Sequence, residues 1–173
     1  HTRSSAASDV YKRQTINGIL QALTLLPNLQ SLDLDKNQLT TLPDSLGKLS
    51  NLQTLSLSHN RLTALPETLG NLPNLQYLVL DNNRLTSLPE TLFSEGNLPN
   101  LQALGLERNQ LTALPSSLGN LPNLLLLYLN HNRLTTLPET LGNLPNLQLL
   151  YLVGNPIELK KLPESLDQLT NLQ

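Results

Sequence analysis

Leucine returns along this chain at a fixed spacing. The pattern Leu-x-x-Leu-x-Leu-x-x-Asn-x-Leu-x-x-Leu-Pro-x-x-Leu-x-x-Leu starts at Leu29, Leu52, Leu75, Leu101, Leu124 and Leu147, in steps of 23, 23, 26, 23 and 23 residues. A sustained period of this length places every unit in the same surroundings as its neighbours, which is the mark of a stacked repeat rather than of one mixed core. The long step reads as an insertion of Phe93, Ser94 and Glu95 between Leu92 and Gly96, and the sixth unit carries two extra residues around Glu158 to Lys161. Residues 15–28, with Ile16, Ile19, Leu23 and Leu26 at matching spacing, read as the back half of a further unit. Residues 29–171 then form six repeats, and 172–173 open another at Leu172. Residues 1–14 contain no leucine, whereas the rest of the chain contains all 50. That first stretch resembles a translated sequencing adapter, so it is set aside from the fold.

Each conserved spacing has a physical reading. In Leu-x-Leu a period of two sends both leucines to one face and the residue between them to the other, which predicts a short strand. So short a strand must pair with the next unit, and the single connecting coil makes that pairing parallel. The asparagine of each unit (Asn37, Asn60, Asn83, Asn109, Asn132, Asn155) falls where the chain turns off the strand, and its amide can both donate to and accept from backbone groups there. Leu-Pro-Glu-Thr-Leu-Gly predicts one helical or 3-10 turn, with proline in the first turn, an acid beside it and glycine closing it. Pro73, Pro99, Pro122 and Pro145 stop that turn from propagating.

The whole of residues 15–173 resembles the leucine-rich-repeat family in its 23-residue form. The resemblance implies a right-handed α/β solenoid, with a parallel sheet of short strands on the concave face and helical or 3-10 turns on the convex face. It also implies a non-enzymatic module that binds another protein. The T-x-L-P-x-x-L-G-N-L variant is similar to intracellular signalling scaffolds whose partners are small GTPases or signalling enzymes, which points to a cytoplasmic setting.

If leucine and asparagine build the scaffold, function resides in the positions that vary. Five outward columns face the concave side. The first is Ser31, Thr54, Tyr77, Ala103, Leu126, Leu149; the second is Asp33, Ser56, Val79, Gly105, Tyr128, Tyr151. The third is Asp35, Ser58, Asp81, Glu107, Asn130, Val153; the fourth is Lys36, His59, Asn82, Arg108, His131, Gly154. The fifth is Gln38, Arg61, Arg84, Gln110, Arg133, Pro156. Outside residues 1–14, every tyrosine (Tyr77, Tyr128, Tyr151) and every arginine (Arg61, Arg84, Arg108, Arg133) falls in these columns. Tyrosine and arginine are enriched at binding hot spots, because each joins a large contact area to a polar tip. The expected partner-binding set is therefore these seven residues with Val79, Leu126, Leu149, His59, His131, Asp81 and Glu107.

Other chemistries fail on spacing or charge. His59 and His131 share a column three units apart, about 14 Å at ~4.8 Å per strand, too far to hold one metal. Asp81 and Glu107, with Arg84 and Arg108 beside them, read as a solvated ion-pair patch rather than an acid/base pair. Ser56, Ser58 and His59 lack a group to orient the imidazole, and the glycines close turns instead of cradling phosphate. No catalytic, metal or cofactor site is expected. Residues 1–14 hold Arg3, Lys12 and Arg13 against Asp9, so the remainder carries 8 basic and 12 acidic side chains, a balance unsuited to nucleic acid. The absence of cysteine removes disulfides and permits a reducing compartment. The longest aliphatic run, Leu124 to Leu127, is far short of a membrane span. An extracellular ligand-binding ectodomain of a membrane receptor, or the substrate-recognition part of a larger enzyme, are the alternative settings for the same module.

A single unit buries too little to fold alone, so stability must come from contacts between neighbours, and terminal units must be the weakest. Amide exchange over residues 160–173 should therefore outpace exchange over 75–130, and equal protection of the two segments would contradict nearest-neighbour stacking.

Overall fold

The structure is a computed structural model and describes residues 18–170. Residues 1–14, set aside above, Ile16 and the repeat start expected at Leu172 lie outside the described residues.

Six three-residue strands form one parallel sheet in chain order: β1 (Ser31–Asp33), β2 (Thr54–Ser56), β3 (Tyr77–Val79), β4 (Ala103–Gly105), β5 (Leu126–Tyr128) and β6 (Leu149–Tyr151). The central leucine of each strand pairs with the next, from Leu32 with Leu55 through to Leu127 with Leu150, so one residue type occupies one register throughout. The three-residue insertion leaves this register untouched, since Tyr77 still meets Ala103. This is the stack of repeats expected from the period, in the solenoid form that the family resemblance implied.

Between strands, the chain crosses to the convex side in 3-10 turns at Asp44–Lys48, Glu67–Asn71, Glu90–Phe93, Ser116–Asn120, Glu139–Asn143 and Glu164–Gln168. Their prolines stand one place earlier than expected: Pro66, for example, is the extended residue before the turn (φ −69°, ψ 139°), and Glu67 is its first member. The extra residues of the sixth repeat are absorbed by an additional turn at Leu159–Lys161. Residues 18–23 are helical. They bury Leu20 completely and pack Leu23 against the core, while Ile19, and Leu26 just after the helix, are about half exposed.

The interior is almost pure leucine. Leu52, Leu55, Leu57, Leu62, Leu69, Leu72, Leu75, Leu78 and their counterparts through the fifth repeat are buried in one continuous cluster, against which Leu150, Leu152, Ile157 and Leu162 of the sixth are partly buried. The turn glycines pack so tightly that a Cβ on Gly119 or Gly142 would collide with the backbone carbonyl of Thr140 or Ser165 in the next coil. Repeat three breaks that rule, because the place of this glycine is taken by Phe93, which closes its turn and is fully buried. The extra length therefore bulges after Phe93, around Ser94 to Asn97, rather than beginning at it. Leu98 re-enters the core at φ 46°, a left-handed conformation that a bulky residue adopts only under constraint.

Two asparagine ladders hold the coils in phase. Asn109 Nδ2 donates to Leu106 O in its own repeat (3.2 Å) and to Leu80 O in the preceding one (3.0 Å), while its Oδ1 accepts Leu85 N–H (3.0 Å). Asn60, Asn83, Asn132 and Asn155 repeat the arrangement. The amide thus does more than tie down its own turn, since it also stitches each coil to the one before. The second ladder was not anticipated: Asn74, Asn100, Asn123 and Asn146 each donate Nδ2 to a backbone carbonyl of the previous coil, at 2.7–2.8 Å. It was visible as the asparagine that precedes the first leucine of every unit.

Asn109→Ala should lower stability by about 3 kcal/mol, because it orphans a buried N–H and two carbonyls. Asn37→Ala, at an exposed site whose amide donates to Leu34 O and Asp35 O of its own turn, should cost about 1 kcal/mol or less. Urea denaturation of both variants checks the contrast.

Candidate recognition surface

The outward side chains of β1–β6 place the first two columns on the sheet face. Tyr77 and Tyr151 are 40% and 38% exposed and Val153 is 67% exposed, whereas Val79, Leu126, Tyr128 and Leu149 are half-buried. The rings of Tyr128 and Tyr151 lie in the same register position of adjacent strands and stack at 5.1 Å with planes 4° apart. Tyr77 stands across β4 from this pair, its hydroxyl 3.4 Å from Gln102 Oε1. All three tyrosines share one face, as their columns required. What the columns could not give is the floor between them: Ala103 and Gly105 point outward from β4 yet are buried, because they are small and their neighbours lean over them. A Cβ on Gly105 would stand 3.0 Å from Asp81 Oδ1.

The third column is structural, and apart from Val153 its side chains are half-buried or buried. Asp35 Oδ1 accepts Ser58 N–H and Ser56 Oγ–H (both 2.7 Å), Asp81 Oδ1 accepts Glu107 N–H (2.8 Å), and Asn130 Oδ1 accepts Val153 N–H (2.8 Å). Glu107 Oε1 in turn accepts from Asn130 Nδ2 at 2.9 Å. The ion-pair patch expected of Asp81 and Glu107 with Arg84 and Arg108 is thus corrected. Among the described residues the salt bridges are those of Glu158 with Lys160 and Lys161. Asp81 is engaged by a backbone N–H of the next coil and Glu107 by the side-chain amide of Asn130, not by a guanidinium. Partial burial holds the Asp81 carboxyl above its ordinary range, opposed by the Glu107 N–H it accepts and reinforced by the Glu107 and Asp35 carboxylates. On the convex side Glu90 accepts Ser116 N–H (3.0 Å) and Ser117 N–H (3.2 Å), and those bonds hold its carboxyl below the usual range.

In the fourth column the backbone is left-handed in every repeat: Lys36, His59, Asn82, Arg108 and His131 have φ between 54° and 58°, and Gly154 has φ 78°. The geometry arises because each of the five non-glycine residues donates its N–H to a third-column carbonyl of the next coil, as Arg108 does to Asn130 O at 2.9 Å. The next residue then turns back into the asparagine ladder. Asn82 and Gly154, the types most tolerant of this conformation, were the sequence signal, and it was overlooked. Arg61, Arg84 and Arg133 project from the following position and are exposed. His59 and His131 sit on coils separated by two strands, so they do not meet. A shallow hollow lined by Asn100, Gln102, Asn123, Leu125 and Asn146 lies beside the sheet, and its asparagine amides already serve the second ladder.

Two outcomes follow for stability. Arg108→Gly should raise it by about 0.5–1 kcal/mol by relieving the left-handed strain, while Arg108→Val should lower it by about 1–2 kcal/mol, read from urea midpoints. For Asp81, a raised folded pKa means that the native chain holds its proton more tightly than the unfolded chain. Its ionised form therefore opposes folding at neutral pH, and that opposition fades as the pH falls through the folded pKa towards the ordinary carboxylate value. Asp81→Asn, which keeps an oxygen acceptor as Asn130 does, should be neutral or stabilising at pH 7. It should also flatten the gain in stability on mild acidification.

The profile of the leucine rich repeat family matches residues 27–85, 73–134 and 99–157. No curated protein matches the sequence. Among solved structures, the PEPR1–AtPEP1 complex is similar with 40% identity over 88% of this chain and 22% of that one, at a TM-score of 0.75. The TLR13–ssRNA13 complex shares 34% identity over 85% of this chain and 21% of that one, at a TM-score of 0.74. The plant peptide hormone receptor RGFR1 in complex with RGF2 shares 31% identity over 88% and 29%, at a TM-score of 0.62. The chain spans less than a third of the length of each of these three. No helix among the described residues is long and apolar enough to cross a membrane. A uniform leucine core, a six-strand parallel sheet in chain order and a profile match over most of the sequence identify this chain as a member of the leucine-rich-repeat family.

Proposed function

We propose that the chain is a non-enzymatic recognition segment whose sheet face binds another protein. The observation that carries this reading is the apolar end of that face. The Tyr128–Tyr151 stack stands with Leu126, Leu149 and Val153 on a surface that gains nothing from water. Parallel rings fixed by strand pairing present a large contact area with little rotamer freedom left to lose, which is what a hot spot needs. Tyr77 and Val79 extend the same face beyond the small residues of β4, so a partner would span several coils. In an intracellular scaffold that partner would be a small GTPase or a signalling enzyme, as the T-x-L-P-x-x-L-G-N-L variant suggests.

A second reading makes the segment part of a receptor ectodomain. It is favoured by the similarity to RGFR1, a plant peptide hormone receptor solved in complex with RGF2. The full-length transcript separates the two settings: a secretory leader or an apolar segment long enough to span a bilayer would select the receptor.

Within either setting, Tyr128→Ala with Tyr151→Ala should weaken capture of the partner by tenfold or more, roughly the loss of one hot spot. The leucine core should be undisturbed. Unchanged capture by a folded double variant would remove the sheet face from the interaction.

A further inference from the structure

We propose that the fourth and fifth columns form a basic ridge beside the sheet face, and that this ridge takes a carboxylate-rich segment of the protein partner. The inference rests on the recognition reading above and names the chemistry it requires. Repeats two to five each present one exposed arginine, Arg61, Arg84, Arg108 and Arg133, and Lys36 extends the row into repeat one. At ~4.8 Å per coil the four guanidiniums cover about 14 Å of surface. Neither column contains an acid in any of the six repeats.

Three observations separate this ridge from an ordinary solvated edge. The arginines have no carboxylate partner among the described residues, although acids stand in the adjoining third column. Asp35 and Asp81 are already engaged by N–H groups of the next coil, and Glu107 by Asn130, so the guanidiniums stay available. Charge is also segregated across the coil, since Asp44, Glu67, Glu90 and Glu139 sit at the start of the convex turns. Finally, long basic or imidazole side chains occupy left-handed backbone in four of the six repeats, where asparagine or glycine would be less strained. Strain retained at an exposed position is a reason to look for function there.

The choice of an acidic polypeptide over a nucleic acid follows from what flanks the ridge. Its tyrosine neighbours lie in the first and second columns, and the rings on the ridge itself are the imidazoles of His59 and His131, three repeats apart and so unable to stack successive bases. Third-column acids would repel a dense polyphosphate. A segment mixing carboxylates with apolar side chains matches both surfaces, the fork of each arginine taking a carboxylate in two parallel hydrogen bonds.

The test measures fluorescence anisotropy of a labelled glutamate–alanine copolymer peptide with the full chain at low and high salt, beside a single-stranded oligonucleotide of equal charge. The peptide should bind and weaken with salt, and Arg61→Gln, Arg84→Gln and Arg133→Gln together should weaken it at least about tenfold. Lys48→Gln, Lys160→Gln and Lys161→Gln, an equal change of net charge elsewhere, should alter it less than about twofold. Absence of peptide binding, equal losses in the two triple variants, or tighter binding of the oligonucleotide would each overturn the proposal. Tyr128→Ala with Tyr151→Ala should leave the apolar-poor peptide bound while weakening capture of the partner. Failure of the ridge and failure of the sheet face therefore register in different measurements.

Discussion

A leucine side chain in one coil has nowhere dry to go except against the leucines of the next coil. Each repeat is one strand and one turn thick, so its apolar stripe can be covered only from above and below, and the continuous cluster from Leu20 to Leu169 is the result. That single contact fixes the rest. Because every coil must present the same shape to both neighbours, the coils stack in one register, strands pair Leu to Leu, and each varying position falls into a straight column. Hydrogen bonding follows packing: once the coils are stacked, their turns bring buried backbone groups together, and the two asparagine ladders satisfy them.

Stacking also divides labour along the surface. Interior positions are tightly restricted, as Gly119 and Gly142 are by the following carbonyls, so most variation lies on the outside. There the columns differ physically. The first two carry area, in the tyrosines and in Leu126 and Leu149. The third spends its oxygens on the next coil, and the fourth is held in a strained backbone by the N–H it donates. A substitution therefore has a meaning set by its column before it has one set by its chemistry. Asp81 and Arg108 lie close in space, yet the first belongs with the scaffold and the second with the ridge.

Much of this was legible in the residues. The period gave the solenoid, and alternation within Leu-x-Leu gave the face on which Tyr77, Tyr128 and Tyr151 lie. Asn37 and its successors marked the turns. Other particulars were not legible, for a common reason. Burial of Ala103 and Gly105 depends on how far Asp81 and the larger neighbours lean, and the partner of Asp81 depends on which donor is nearer after stacking. Phe93 looked like the first residue of an insertion, but it is the last residue of its turn, because a buried ring is worth more than regular spacing. Residues 18–23 matched the repeat at Ile19 and Leu23; they are helical, Leu23 does pack against the core, but the wholly buried side chain is Leu20 and Ile19 is exposed.

Leucine and asparagine spacing alone determined the architecture, the number of described strands and the side of the sheet each side chain faces, because a period is a property of the chain that survives any detail of packing. Only the assembled coils decided which outward groups remain available. Exposure, hydrogen-bond partners and the left-handed turn at Lys36, His59, Asn82, Arg108 and His131 arise between repeats, from atoms some two dozen positions apart in sequence and in contact only after stacking.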